Sequence, residues 1–193
     1  MSKILFSIIL LGCVVSCKDE VSTPRPRAYP RVEYPKHELQ DFSNNDCPFT
    51  FQFPKYAEVQ MKADHPCWFD LFIPAFKARV HCSYLSVKNR ADFDDMVNDT
   101  YTIAGKINER SNYMEESRIK NENGVGGLQL KFTGPAASPL HFFLTDTTQH
   151  FFKASLYFEA KVKPDSLAPI IEFVEEDVNK MIQSFNWKKS EGK

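Results

Sequence analysis

The chain has 193 residues, with 24 basic against 25 acidic side chains and an aromatic complement of 17 Phe, 7 Tyr and 2 Trp. Without the first 16 residues, 177 remain, carrying 23 basic and 25 acidic side chains, which is enough for one domain of ordinary size. This balance excludes a general nucleic-acid binder, which needs a basic surface, while the aromatics supply the area for a sizeable core.

The N-terminus reads as an export signal. Lys3 is the only charge before Cys17, and Ile4 to Val15 form a nearly continuous apolar run. That run is shorter than the roughly 20 residues of a bilayer span and matches the apolar segment of a signal peptide. It ends in Val14-Val15-Ser16-Cys17, which resembles a bacterial lipobox, where the cysteine is acylated and becomes the first mature residue. Leu10-Leu11-Gly12-Cys13 is an overlapping match, but cleavage there leaves a short apolar core, and charges begin directly after Cys17 with Lys18, Asp19 and Glu20. A buried N-terminal helix is disfavoured because the run has no polar face and no stop signal. The expectation is a signal peptide over 1–16 and lipid on Cys17, with palmitate or similar chains; two or more make anchoring stable.

Residues 17–46 are read as a tether. Pro24, Pro26, Pro30 and Pro35 disfavour helix and favour an extended chain. The stretch "PRPRAYPRVEYP" sets Arg25, Arg27 and Arg31 among Tyr29 and Tyr34. It is either a plain solvated spacer or a segment that docks on a partner or on the protein's own body, since Arg and Tyr are favoured at recognition surfaces.

The domain is expected over 47–188, with 189–193 as a tail. "CPFTFQF" alternates, placing Phe49, Phe51 and Phe53 on one face; "CWFDLFI" does the same with Phe69, Leu71 and Ile73 before Pro74. "KARVHCSYL" sets Val80, Cys82 and Tyr84 against Arg79, His81 and Ser83, so Cys82 reads as a buried free thiol. Phe93, Val97, Tyr101, Ala104 and Ile107 follow helical spacing. Asp92, Asp94 and Asp95 crowd that helix's first turn, where its dipole favours negative charge; they lack the spacing and glycine of a calcium loop. Strands follow near 113–120 and at "GLQLKFT", "LHFFLTD" and "HFFKASLYFEA", with hairpin turns at Asn123-Gly124 and Thr147-Thr148-Gln149. Pro164-Asp165-Ser166 opens a last helix whose apolar stripe is Ile170, Phe173, Val174, Val178, Met181, Ile182 and Phe185. This order predicts an α+β domain, a mainly antiparallel sheet flanked by helices, and it resembles the PsbP-like α/β/α sandwich, a likeness that fixes no function.

Candidate chemistry is sparse. Export permits a disulfide, and Cys47 and Cys67, each beside a proline and before a strand, would close a loop of about 20 residues. His65, Cys67, His81 and Cys82 lack the paired spacing of a zinc site. His141 and His150 flank a hairpin and read as cross-strand surface residues. No serine lies in a G-x-S-x-G turn, and Gly124 to Gly127 lack the Lys-Ser/Thr of a phosphate loop. A catalytic site, a metal and a cofactor are therefore not expected. A small ligand or glycan site is the alternative, using Trp68 and the other aromatics, in a pocket lined by Trp68, Phe72 or Tyr84.

The lipobox, the Pro-Arg-Tyr tether, "CPFTFQFPKYAEV" and "HPCWFDLFIPAFKARVHCSY" together resemble the gliding motility lipoprotein GldD family, most specifically between Arg25 and Tyr84. Arg25 and Ala28 stand where that family commonly has Lys and Gly. The resemblance implies a non-enzymatic component of the gliding apparatus and the linked type IX secretion system. Such a protein is held by lipid in the cell envelope facing the periplasm, at the outer membrane rather than the inner, among other gliding or secretion components and without nucleic acid. It implies Cys17 for lipid and a Cys47–Cys67 bridge, and it makes Arg25, Arg27, Tyr29 and Arg31 candidates for partner binding.

Overall fold

The computed structural model describes residues 32–159 and 164–189. Cys17, Arg25, Arg27, Tyr29 and Arg31 lie outside the described residues. Within these residues the order is β1 (Leu39–Ser43), β2 (Phe49–Pro54), β3 (Glu58–Met61), β4 (Phe69–Ile73), a 3-10 turn (Pro74–Phe76), β5 (Ala78–Ser86) and α1 (Arg90–Asn108). Then come β6 (Tyr113–Lys120), β7 (Gly126–Thr133), β8 (Leu140–Thr145), β9 (His150–Phe158), α2 (Pro164–Ser184) and β10 (Asn186–Trp187).

Seven strands form one antiparallel sheet in the order β3-β4-β5-β9-β8-β7-β6, and β1-β2-β10 form a smaller antiparallel sheet. Alternation along each strand decides which face a side chain serves. On one face, Phe69, Leu71, Val80, Cys82, Leu144 and Phe152 are buried beneath α2 and the small sheet. Phe49 is fully buried there, 5.1 Å from Phe152 and 5.4 Å from Phe185 between ring centroids. Phe42 of β1 stacks on Phe69 at 4.8 Å. Rings at these spacings and tilts add to the area they bury.

On the opposite face, α1 packs over Leu128, Leu130, Phe132, Phe143 and Phe151 through Phe93, Met96, Val97 and Ala104. Asn89 caps the helix, its side-chain oxygen accepting from the Asp92 N–H at 3.0 Å, and Asp92 returns the contact to the Lys88 N–H at 2.9 Å. Of the three acids expected in the first turn only Asp92 lies there, because the helix begins at Arg90, and it makes the cap reciprocal. Tyr101, expected in the apolar stripe, is exposed, because the buried edge of α1 runs through Thr100 and Ala104 instead.

The chain enters the body earlier than its sequence suggests. Leu39–Ser43, placed by composition in the tether, pair residue for residue with β2. Only Phe42 of this strand is buried, so its order comes from the hairpin ladder with β2 rather than from an alternating pattern of its own. The edge strand β3 and the two-residue β10 likewise carry little periodicity.

Candidate functional site

Three features stand out when the site is built from its residues. The first is a strap just after the proline-rich segment. His37 stacks on Phe173 of α2 at 4.2 Å, and Tyr34 packs on Phe173 at 4.9 Å and on Phe76 at 5.9 Å. His37 Nδ1 donates to Asp177 Oδ1 at 2.7 Å, and its Nε2 lies 3.2 Å from Glu176. Asp177 is almost wholly buried and also accepts from the Tyr56 hydroxyl and, at 3.5 Å, from Lys180. Burial and the Asp177 carboxylate push the Tyr56 phenol far above its usual range, so it remains a donor.

The second feature is the bridge between Cys47 and Cys67, whose Cα atoms are 5.4 Å apart. It ties the start of β2 to the start of β4 across β3. Closing 20 residues contributes about 3 kcal/mol in the chain-entropy model. Cys47→Ser with Cys67→Ser is therefore expected to lower unfolding stability by about that amount, as is reductant alone; equal denaturation midpoints with and without reductant would refute it. Cys82 is buried and free, its thiol pushed up by burial and by the nearby Asp70 carboxylate.

The third feature is a polar groove on the α1 face of the large sheet, over β5 and β9. Register aligns Asp70, His81, Ser155 and His141 in one row across β4, β5, β9 and β8, with Ser83 and Lys153 paired beside it. Asp70 is buried and meets Lys62 Nζ and His81 Nδ1 at 2.6 Å each, with Arg79 at 3.7 Å. Burial raises its pKa, but the hydrogen bonds from Lys62 and His81 outweigh this and hold the carboxyl below its usual range. Ser155 Oγ lies 2.8 Å from His141 Nδ1. Both β5 and β9 are paired on both sides, which spends their backbone N–H groups on the ladder rather than on an oxyanion. The groove can bind through hydroxyls, imidazoles and a lysine.

The family profile described as "Gliding motility lipoprotein GldD" matches residues 19–187. The chain belongs to that family. Membership assigns this GldD-family protein to gliding motility and, as a lipoprotein, to the cell envelope. No helix among the described residues is long and apolar enough to cross a membrane. The solution structure of cyanobacterial PsbP (CyanoP) from Synechocystis sp. PCC 6803 is similar at 13% identity, covering 79% of this chain and 94% of that one with a TM-score of 0.44. The fold class rests on the sheet topology itself. A search of the curated proteins finds no match.

The GldD-family chain corrects two readings of its sequence. His141 is buried rather than on the surface, because β8 is an interior strand and α1 lies over that face. His150 is half-buried, stacked on Trp187 at 4.9 Å and 2.8 Å from the Tyr84 hydroxyl. Trp68, Phe72 and Tyr84 do not form one pocket. Phe72 lies under Arg79 on the α1 face, whereas Tyr84 faces the other way, toward Phe49. Trp68 stacks on His65 and donates its indole N–H to the Tyr84 carbonyl. No three His, Cys, Asp or Glu side chains among the described residues are grouped as metal ligands would be. Asp177 and the His81–Ser155–His141 row were not singled out by sequence. The row could be found only once strand register was known.

Proposed function

We propose that this protein is a lipid-anchored structural or assembly factor of the gliding apparatus and its linked type IX secretion system, without enzymatic activity. Cys17 carries the lipid, on the periplasmic side of the envelope and at the outer membrane. Arg25, Arg27, Tyr29 and Arg31 contact other components of the machinery. The observation that most supports this reading is the strap. Tyr34 and His37 are fastened to α2, so the arginine–tyrosine segment directly precedes a fixed point on the body. A motif attached at a fixed point needs less ordering on binding than one at the end of a free linker.

Two measurements test it. Affinity capture of a C-terminally tagged chain is expected to recover other gliding or secretion components, and Cys17→Ala is expected to move the protein from the membrane to the soluble fraction and to abolish that recovery. Arg27→Ala with Tyr29→Ala should weaken recovery while the chain stays in the membrane fraction and stays folded. Undiminished recovery in the double variant sinks the assignment of this segment to partner binding; membrane retention of Cys17→Ala sinks the anchor.

A further inference from the structure

We propose that the groove beside α1 is a binding site for a small polar ligand bearing one anionic group, a carboxylate or a phosphate. Its cavity is about 340 Å³ and is walled by Thr100 and Ile103 of α1 and floored by the large sheet. That is at the small end of ligand-site volumes, suited to a molecule the size of a single sugar or amino acid.

The floor is built unlike the rest of the same face. Beneath α1, β9 contributes the fully buried Phe151, and its neighbours on this face are Leu128, Leu130 and Phe143. Continuing along the same side of β9, the residues become Lys153, Ser155 and Tyr157, and β5 sets Ser83 and His81 against the first two. A sheet face beside a helix is ordinarily apolar. Here the change from apolar to polar occurs within one strand, where the cavity begins.

Charge favours an anion. At the groove's edge, Asp70 is already met by Lys62, His81 and Arg79, and Glu159 by Arg79 at 2.7 Å. Among the described residues Lys153 has no carboxylate partner, so its charge is not neutralised. Burial first, and the Lys153 charge second, hold His141 down at about 4. At neutral pH the imidazole is therefore uncharged, and Lys153 is left to attract the ligand. Burial pushes the Tyr157 phenol up, which keeps it a hydroxyl donor.

His141 supplies an independent sign. It is 6% exposed, its Nδ1 is engaged by Ser155, and its buried Nε2 has no partner among the described residues. Leaving a buried nitrogen unpaired is costly in an interior that pairs nearly all its polar atoms. Trp187 Nε1, away from the groove, is unpaired as well, so the sign lies in the unpaired ring also lining the cavity. Ser155 on β9 stands between His81 on β5 and His141 on β8 in the same row, so a ligand on the floor is sensed by both histidines.

The test titrates the full-length protein in detergent with inorganic phosphate and, separately, with glucuronate, following the imidazole NMR signals of His81 and His141. Saturable shifts in both rings with either probe are expected. The responding probe identifies the group: phosphate alone, carboxylate alone, or either anion. Lys153→Gln should weaken binding about tenfold, equivalent to about 1.4 kcal/mol, and Lys153→Arg should restore most of it. Unchanged amide signals from α1 show that the variants are folded. Absence of saturation with both probes, or the same midpoint in Lys153→Gln, overturns the proposal.

Discussion

Gly127→Ala is expected to destabilise the domain by about 3 kcal/mol or more. Gly127 lies in β7, opposite Ile119 of β6 and Leu144 of β8. A Cβ there would sit 2.0 Å from the Phe143 carbonyl oxygen and 3.1 Å from the Leu144 Cα. Both obstacles are backbone, so no side-chain rotation relieves them. Moving β8 away would disturb its pairing with β9 and the packing of Phe143 and Leu144, both buried. Glycine inside a strand often marks such a close approach. Gly126→Ala is the internal control, because its Cβ meets only the Thr145 carbonyl oxygen at 3.9 Å. Urea denaturation of the two variants should separate them widely, and similar midpoints would refute the steric account.

Asp177→Ala is the second large effect, a loss of about 3 kcal/mol. Alanine removes the acceptor shared by Tyr56, His37 and Lys180. It leaves the half-buried Tyr56 hydroxyl without its partner and releases His37 from α2. Tyr56→Phe, which keeps the carboxylate with its other two partners, should cost about 1 kcal/mol. Trypsin should cut after the exposed Lys36 faster in Asp177→Ala than in Tyr56→Phe, because only the first frees the strap. Equal cutting in the two would show that the carboxylate does not hold this segment.

Much of this architecture could be read from pattern because the pattern was locally complete. Phe69, Leu71 and Ile73 alternate without interruption and are buried as expected, and the stripe from Val174 to Phe185 follows the α2 core. Asn123-Gly124 marks a real hairpin, with Gly124 at a φ of 77°. β1 is illegible because Phe42 is its only buried side chain and the turn to β2 carries no Asn-Gly or Asp-Gly hairpin signal. In sequence Asp177 is indistinguishable from its neighbours Glu172, Glu175 and Glu176. Its burial depends on His37 and Tyr56, residues 140 and 121 positions away. The groove was hidden in part for the same reason: the β8–β9 hairpin pairs Ser155 with His141, but nothing local links His81 to Ser155.

The order of strap, β1 and disulfide gives the body a defined mechanical sequence. Tension arriving from the N-terminal side meets the strap first, Tyr34 on Phe173 and then His37 on Asp177, and the β1–β2 ladder second. If both yielded, the ten residues from His37 to Cys47 could extend by at most about 35 Å. Beyond that, the Cys47–Cys67 bond carries the load directly into β4 and bypasses β2 and β3. The bridge is therefore a covalent shunt: β2 and the edge strand β3 carry none of the load, which enters the large sheet only at β4, a strand paired on both sides.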